Sequence, residues 1–244
     1  MLIVLGRKNL SVDNSTSTLI TDLDPKSPAV EAYKLLRTNL SFASTDKPLQ
    51  VIGMTSSGPG EGKSTVAANM AIALAQSGNQ VLIMDSDLRR STQHKIFKIP
   101  GRRIGVTDIL TGTKDISECL APTLVPTLTL LSAGPTPPNP SELLGSNKMT
   151  QLVTELKEQF DTIVIDLPPV ISVTDALIMS PLVDGFVFVI SSGSTDRRAA
   201  LNAKQLLVNA KANILGAVLN RADPNKSYGS YYSHYYYYYY NEES

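Results

Sequence analysis

The stretch "SSGPGEGKST" at residues 56–65 carries a strong local signal for fold and ligand. It lies between an apolar run at 49–55 and a run with a helical pattern at 63–77, so we predict a strand, a glycine-rich loop and a helix in that order. In such a loop, small residues let backbone amides turn inward around phosphate oxygens, Lys63 supplies a mobile positive charge, and the Ser64 hydroxyl can ligate magnesium. The predicted nucleotide-binding residues of this loop are Gly58, Pro59, Gly60, Glu61, Gly62, Lys63, Ser64 and Thr65.

The rest of the chain repeats this alternation of apolar strands and amphipathic helices. Further strands are predicted at 80–85, 128–134, 161–166, 185–190 and 212–220. Further helices are predicted at 141–160, 174–181 and 196–210. Continuous apolar strands separated by helices indicate a parallel sheet that is buried on both faces. We therefore expect an α/β fold with a mostly parallel central sheet flanked by helices on both faces, and a ligand site at the carboxyl ends of the strands.

Three acidic residues lie at the ends of two of these strands. Asp85 and Asp87 follow the strand in "VLIMDSDLRR", and Asp166 closes the strand in "TIVIDLPP". Residues two apart in an extended chain point to the same side, so the carboxylates of Asp85 and Asp87 can face one site. Asp166 has the form of a Walker B acid, which holds magnesium directly or through water. The three acids therefore predict a magnesium site beside the phosphate loop, rather than a solvated charged surface.

The end of the last strand, "VLNRAD" at 218–223, is a candidate for contact with the nucleotide base. Asn220 with Asp223 resembles the Asn-Lys-x-Asp pattern with which many nucleotide-binding proteins bind the edge of the base, and Arg221 stands in place of the lysine. We therefore predict that Asn220 and Arg221 contact the nucleotide. An ordinary loop capped by asparagine is the alternative interpretation.

The composition limits the functions that are open to the chain. Among its 244 residues, Lys plus Arg and Asp plus Glu both number 22, so the zero net charge predicts no binding to nucleic acid or anionic lipid. A single cysteine, Cys119, excludes an intrachain disulfide and favours the cytoplasm. The apolar run before Gly6 is too short for a signal peptide, and no stretch approaches the roughly 18 apolar residues that indicate a membrane span. Membrane association is therefore expected to come through a partner.

Three regions are predicted along the chain. Residues 1–28 are an N-terminal extended segment, residues 29–225 are the folded domain, which begins with a helix at 29–43, and residues 226–244 are a flexible tail. The tail contains nine of the ten tyrosines: Tyr228, Tyr231, Tyr232, Tyr235, Tyr236, Tyr237, Tyr238, Tyr239 and Tyr240.

The motifs "PGEGKST", "DSDLRR" and "IDLPP", with "EAYKLLRTN" upstream, "GPTPPNPSELL" and the tyrosine-rich tail, together resemble the bacterial tyrosine kinase family of capsule and exopolysaccharide synthesis. The resemblance implies a P-loop protein-tyrosine kinase that uses ATP and Mg²⁺ and is related in fold to the partitioning and septum-site ATPases. It implies that the nine tail tyrosines accept the phosphoryl groups. The catalytic residues that it implies are Lys63, Asp85, Asp87 and Asp166, with Asp85 taking or orienting the tyrosine proton. The magnesium ligands that it implies are Ser64, Asp87 and Asp166.

The same resemblance implies partners and a location. Glu31, Lys34 and Arg37 match the motif with which the family assembles rings, and an octamer of the unphosphorylated chain is expected. Family members without a membrane span depend on a separate transmembrane adaptor of the polysaccharide co-polymerase type. Such an adaptor would hold this cytoplasmic chain at the inner face of the cell membrane. Other proteins are further candidate substrates, and no nucleic acid partner is expected.

Two other interpretations of the sequence stay open. One is an ATPase switch of the MinD/ParA type, which dimerises on ATP and positions cargo without kinase activity. Those proteins usually carry an extra lysine near the start of the phosphate loop, where this chain has Ser57, Gly58 and Pro59. The other is a tail that serves as a binding module, with aromatic rings that stack on sugar or nucleic acid. Because no Lys or Arg follows Lys226, nucleic acid is the less suitable of these two ligands.

Overall fold

An eight-stranded sheet runs through the part of the chain that is described. A computed structural model describes residues 2–6, 19–43, 48–99 and 104–222. The strands are β1 (Leu2–Gly6), β2 (Val51–Ser56), β3 (Val81–Asp85), β4 (Leu120–Pro122), β5 (Leu128–Leu131), β6 (Thr162–Asp166), β7 (Gly185–Ser191) and β8 (Ile214–Ala222). Their order across the sheet is β1-β8-β7-β2-β6-β3-β5-β4, and every neighbouring pair is parallel except β4 with β5. The predicted α/β fold with a mostly parallel sheet is therefore confirmed.

Helices connect these strands and cover the sheet. The α-helices among the described residues are α1 (Pro28–Phe42), α2 (Lys63–Ala75), α3 (Gln93–Ile96), α4 (Val106–Thr111), α5 (Ile116–Cys119), α6 (Pro140–Leu144), α7 (Asn147–Gln159), α8 (Asp175–Ile178) and α9 (Arg197–Asn209). Short 3-10 helices lie at Ile20–Asp22 and Ser180–Leu182. None of the helices in the described ranges is long and apolar enough to cross a membrane.

The structure differs from the sequence-based expectation at several places, and β4 and the short helices α3, α4 and α5 were not predicted. Residues 2–6 form β1, which pairs in parallel with β8 at one edge of the sheet. They belong to the predicted N-terminal extended segment. The helix predicted at 141–160 is interrupted, because Ser146 accepts a hydrogen bond from the Met149 N–H and so caps a new helix, α7. The helix predicted at 174–181 ends at Ile178 and continues as a 3-10 turn. The tail at 226–244 lies outside the described residues, and the division of the chain into three regions stays a prediction.

Each face of the sheet packs against its own set of helices. Ile52 and Ile83 belong to a buried cluster with apolar residues of α1 and α2. Their chain neighbours Val51 and Leu82 belong to a second cluster, with residues of α7, α8 and α9. Successive side chains of a strand point to opposite faces, so the continuous apolar runs in the sequence are explained by burial on both sides.

Gly53 lies at the centre of β2, the strand that leads into the phosphate loop. A Cβ atom at this position would lie 2.8 Å from Cε1 of Phe186 on the neighbouring strand β7. Phe186 is fully buried and cannot move aside without opening the core. Glycine therefore permits the close packing of β2 and β7 directly below the site.

We expect the substitution Gly53→Ala to lower the free energy of unfolding by about 1–3 kcal/mol, because the added methyl group overlaps the buried Phe186 ring. Chemical denaturation at fixed pH measures the change. The double variant Gly53→Ala/Phe186→Leu should recover part of the loss, since leucine vacates the space that the methyl group needs. A single variant as stable as the wild type would show that this contact is not tight.

Candidate active site

The phosphate loop lies between β2 and α2 at the carboxyl edge of the sheet. Its last residue before the helix, Gly62, has a φ of 90°, in the left-handed region that favours glycine. A Cβ atom there would also collide with the side-chain amide of Asn220. The turn allows α2 to begin at Lys63 with its free N–H groups directed at the loop. This arrangement suits an anion such as a phosphate group.

Side-chain hydrogen bonds brace this loop from within. The Glu61 carboxylate accepts hydrogen bonds from the Ser57 hydroxyl and from the Gly58 backbone N–H, the latter at 2.9 Å. Ser57 occupies the position where such loops usually have glycine or alanine, and Glu61 is its partner. Asn220 Nδ2 donates to the Glu61 carbonyl at 3.0 Å, which ties the end of β8 to the loop.

The Lys63 ammonium lies between two carboxylates. Its Nζ is 2.9 Å from Asp87 Oδ2, 3.2 Å from Asp166 Oδ1 and 3.2 Å from Ser64 Oγ. Burial by itself lowers the pKa of Lys63, but the negative charges of Asp166, Asp87 and Asp85 outweigh this effect and raise the pKa to about 12. Lys63 is therefore a permanently charged group inside a nearly closed site.

Asp85 lies beside Asp166 in the interior. The two residues are register partners on β3 and β6, and neither has exposed surface. Asp85 Oδ2 accepts hydrogen bonds from the backbone N–H groups of Thr92 and Gln93 at 2.9 and 3.0 Å, and Oδ1 accepts one from Asp87 at 3.2 Å. Burial, and after it the charge of Asp166, raises the pKa of Asp85 from its ordinary value of 3.8 to about 7. Asp85 therefore titrates near neutral pH.

The three residues predicted to hold magnesium lie together around Lys63. Ser64 supplies a hydroxyl oxygen, and Asp87 and Asp166 supply carboxylate oxygens, which are the donors that Mg²⁺ prefers. The Lys63 ammonium lies within 3.2 Å of an oxygen of each, so the same set of atoms already binds a cation. The donor set therefore fits Mg²⁺. The structure brings the four predicted catalytic residues into one cluster, while their individual roles stay predictions.

The candidate base-binding residues have a different environment from the one expected. The Asn220 amide is occupied on both sides, because Nδ2 donates to the Glu61 carbonyl and Oδ1 accepts from the Arg221 N–H at 2.9 Å. Arg221 is exposed and has a φ of 57°. Asp223 lies outside the described residues. Contact of Asn220 and Arg221 with a base stays a prediction, and bracing of the phosphate loop is the role that the contacts of Asn220 display.

The charged motif of α1, Glu31, Lys34 and Arg37, contacts through Arg37 the C-terminal end of α2, the helix whose first turn lies at the phosphate loop. Lys34 Nζ is 2.6 Å from Glu31 Oε1, and both side chains are partly exposed. Arg37 donates to the Ala73 carbonyl in the last turn of α2 at 3.1 Å, which is a favourable place for a cation at a helix end. The use of these three residues in ring assembly stays a prediction.

An ion-pair network that the sequence patterns did not predict holds the segment after Asp87. Arg89 donates from two nitrogens to the fully buried carboxylate of Asp175, at 3.0 and 3.1 Å. Arg89 and Asp175 also share the Ser141 hydroxyl, at 2.8 and 2.7 Å. The network joins the loop after β3 to α6 and α8. In the sequence, Asp175 has the pattern of a helix cap, because it is a single acid at the start of a short helix. No local signal therefore indicates its ion pair with Arg89.

Gln93 is a second site residue that the sequence patterns did not predict. Its side chain has no exposed surface, and Nε2 donates to Asp166 Oδ2 at 2.8 Å and to the Ser64 carbonyl at 3.0 Å. In the sequence it is one polar residue among several in "RRSTQHK", where nothing predicts burial.

Known proteins resemble this chain over most of its length. A family model described as an AAA domain matches residues 49–191. The tyrosine-protein kinase YwqD of Bacillus subtilis (strain 168) is 40% identical over 215 residues, which are 87% of this chain and 90% of that protein. The crystal structure of the chimerical protein CapA2B2 matches with a TM-score of 0.84 and 37% identity, over 91% of this chain and 94% of that one. MinD from Pyrococcus horikoshii OT3, 24% identical over 72% of both chains, shares the fold with a TM-score of 0.62.

The raised pKa of Asp85 gives a pH dependence of stability. Because the folded-state pKa of about 7 exceeds the ordinary value of 3.8, this group contributes stability that is complete below about pH 4 and is lost as the pH rises to about 7. In nucleotide-free, metal-free protein, the free energy of unfolding should therefore fall over this window, by up to roughly 1.4 kcal/mol per pH unit from Asp85. Urea denaturation of wild type and Asp85→Asn should show a flatter profile for the variant. Parallel profiles would contradict this assignment.

The two roles for Asn220 predict different effects of Asn220→Ala on nucleotide binding. If Asn220 braces the loop, ATP and GTP should both bind more weakly, and by the same factor, because the phosphates are common to both. A base-contacting role predicts that the variant loses discrimination between them. Equilibrium titration of both nucleotides measures the ratio, and the contacts of Asn220 predict an unchanged ratio. Lower affinity for ATP alone would contradict bracing as its main role.

Proposed function

The chain belongs to the bacterial tyrosine kinase family of capsule and exopolysaccharide synthesis and is a protein-tyrosine kinase of the non-receptor type, and we propose that it transfers the γ-phosphoryl group of ATP to tyrosines of its own C-terminal tail. The observation that carries the proposal is the charged Lys63 held between Asp87 and Asp166 at the start of α2. A cation at this position neutralises charge on the terminal phosphates, which is the main requirement of phosphoryl transfer.

ATP would bind with its phosphates in the loop and against the first N–H groups of α2. Lys63 then exchanges a carboxylate partner for phosphate oxygens, which requires no change in its own charge. Mg²⁺ would be held by Ser64, Asp87 and Asp166, and when bound it neutralises the charge of the phosphate oxygens. Both cations would thus stabilise the same developing charge.

Asp85 is proposed to take or orient the proton of the accepting tyrosine. A tyrosine hydroxyl has a pKa of roughly 10 and is a weak nucleophile at neutral pH, so it needs an acceptor for its proton. A carboxylate whose pKa is raised to about 7 is well suited to this task, because at neutral pH a substantial fraction is ionised and the ionised form binds a proton readily. Since Asp85 has no exposed surface, the tyrosine reaches it only if the segment after β3 moves.

Phosphorylation of the tail is proposed to control assembly. Nine phosphotyrosines would add on the order of 14 to 18 negative charges at about 1.5 to 2 per group. Such a load repels neighbouring tails and opposes a ring, expected to be an octamer, built with Glu31, Lys34 and Arg37. A transmembrane adaptor of the polysaccharide co-polymerase type would hold the chain at the inner face of the cell membrane, where the kinase regulates polysaccharide synthesis and export. The tail lies outside the described residues.

The proposal predicts phosphotyrosine in the tail and at no buried site. Wild-type protein incubated with labelled ATP and Mg²⁺ should acquire phosphotyrosine, more so with the cytoplasmic segment of the adaptor. A variant with phenylalanine at the nine tail positions should acquire none. Tyr33→Phe is the matched control and should leave labelling unchanged, because Tyr33 is buried on α1 and its burial raises its pKa. ATP hydrolysis without phosphotyrosine would contradict the proposal and favour a switch of the MinD/ParA type.

A further inference from the structure

Through its backbone and its side chain together, Gln93 contacts Asp85, Asp166 and Ser64. It lies at the start of α3 and has no exposed surface. Its backbone N–H donates to Asp85 Oδ2 at 3.0 Å, and its side-chain Nε2 donates to Asp166 Oδ2 at 2.8 Å and to the Ser64 carbonyl at 3.0 Å. One residue thus touches the acid that ends β3, the acid that ends β6 and the first turn of α2.

These contacts fix the orientation of the Asp166 carboxylate. Oδ2 accepts from Gln93, and Oδ1 lies 3.2 Å from Lys63 Nζ. A carboxylate held at both oxygens cannot turn about its χ2 bond without losing a charge-assisted hydrogen bond. The oxygen that faces Lys63 therefore also faces the predicted metal position.

The amide of Gln93 has one definite orientation, because both partners of its nitrogen are acceptors. Its Oε1 is buried and has no hydrogen-bond partner among the described residues. An unpaired buried acceptor costs about 1–3 kcal/mol, and such groups usually have a role outside folding or bind an additional donor. A water of a hydrated cation would supply such a donor.

We propose that Gln93 is a positioning residue for the kinase reaction, which holds Asp166 in the orientation that binds Mg²⁺ and couples it to the phosphate-loop helix through Ser64. The inference rests on the proposed function for the identity of the metal and the nucleotide. Residues that orient metal ligands through hydrogen bonds typically contribute 10–100-fold to metal affinity or activity. The loss of Gln93 should have an effect of this kind rather than a general loss of stability.

The test compares Gln93→Met with Lys95→Met. Methionine keeps the size of glutamine but cannot donate a hydrogen bond, and Lys95 is an exposed residue on the same short helix. Titration of ADP binding in EDTA, and then at increasing Mg²⁺, measures the metal affinity without any phosphoryl transfer. For Gln93→Met we expect unchanged ADP affinity in EDTA and a Mg²⁺ midpoint raised by about 10–100-fold. Lys95→Met should behave as wild type.

The kinase assay supplies an independent readout. For Gln93→Met, kcat should fall at low Mg²⁺ and recover as Mg²⁺ is raised, while the KM for ATP at saturating Mg²⁺ stays unchanged. If Gln93→Met fails to bind ADP in EDTA, Gln93→Asn, which keeps the amide on a shorter side chain, is used for the same titration. A Mg²⁺ midpoint equal to that of wild type would overturn the inference. A wild type that binds ADP with Mg²⁺ but makes no phosphotyrosine would overturn the kinase proposal. The ADP titration alone would then test the role of Gln93.

Discussion

The placement of one ammonium group among three buried carboxylates is the constraint on which the rest of the site depends. Lys63 forms ion pairs with Asp87 and Asp166, and Asp85 is the register partner of Asp166 on the neighbouring strand. Buried charges are strongly destabilising unless they are paired and hydrogen bonded. One lysine cannot compensate three acids, and burial, followed by the charge of Asp166, raises the pKa of Asp85. The excess of carboxylates over ammonium groups at this site favours the binding of a further cation.

The fold supplies what this cluster needs through backbone and side-chain donors. The parallel strands β3 and β6 end at the same level, which sets Asp85 opposite Asp166. The backbone N–H groups of Thr92 and Gln93, where α3 begins, donate to Asp85, and the side chain of Gln93 donates to Asp166. The network of Arg89 and Asp175 then anchors the segment that carries Asp87 to the helices beyond it. Asp85 and Asp166 are thus held at the ends of strands, which are more rigid than loops.

The features that could be predicted from the sequence are those with a local signal. The glycine loop, the strand–helix alternation and the acids at strand ends each depend on residues close in the chain, and the structure brings Lys63, Asp87 and Asp166 together accordingly. Strand β1 was not predicted, because five residues carry little pattern and their partner β8 begins more than two hundred residues later. Gln93 and Asp175 were missed for a related reason. Each is an isolated polar residue whose burial arises from tertiary packing alone.

The most direct test of this account is the phosphotyrosine content of the tail in Lys63→Met, measured by mass spectrometry after incubation with ATP, Mg²⁺ and the adaptor segment. Circular dichroism on the same sample reports whether the variant is folded, and Lys95→Met serves as the control for loss of a lysine. If Lys63 neutralises the transferred phosphoryl group, the folded variant should contain no phosphotyrosine while Lys95→Met is labelled as wild type. Tail labelling at the wild-type level in Lys63→Met would contradict the account.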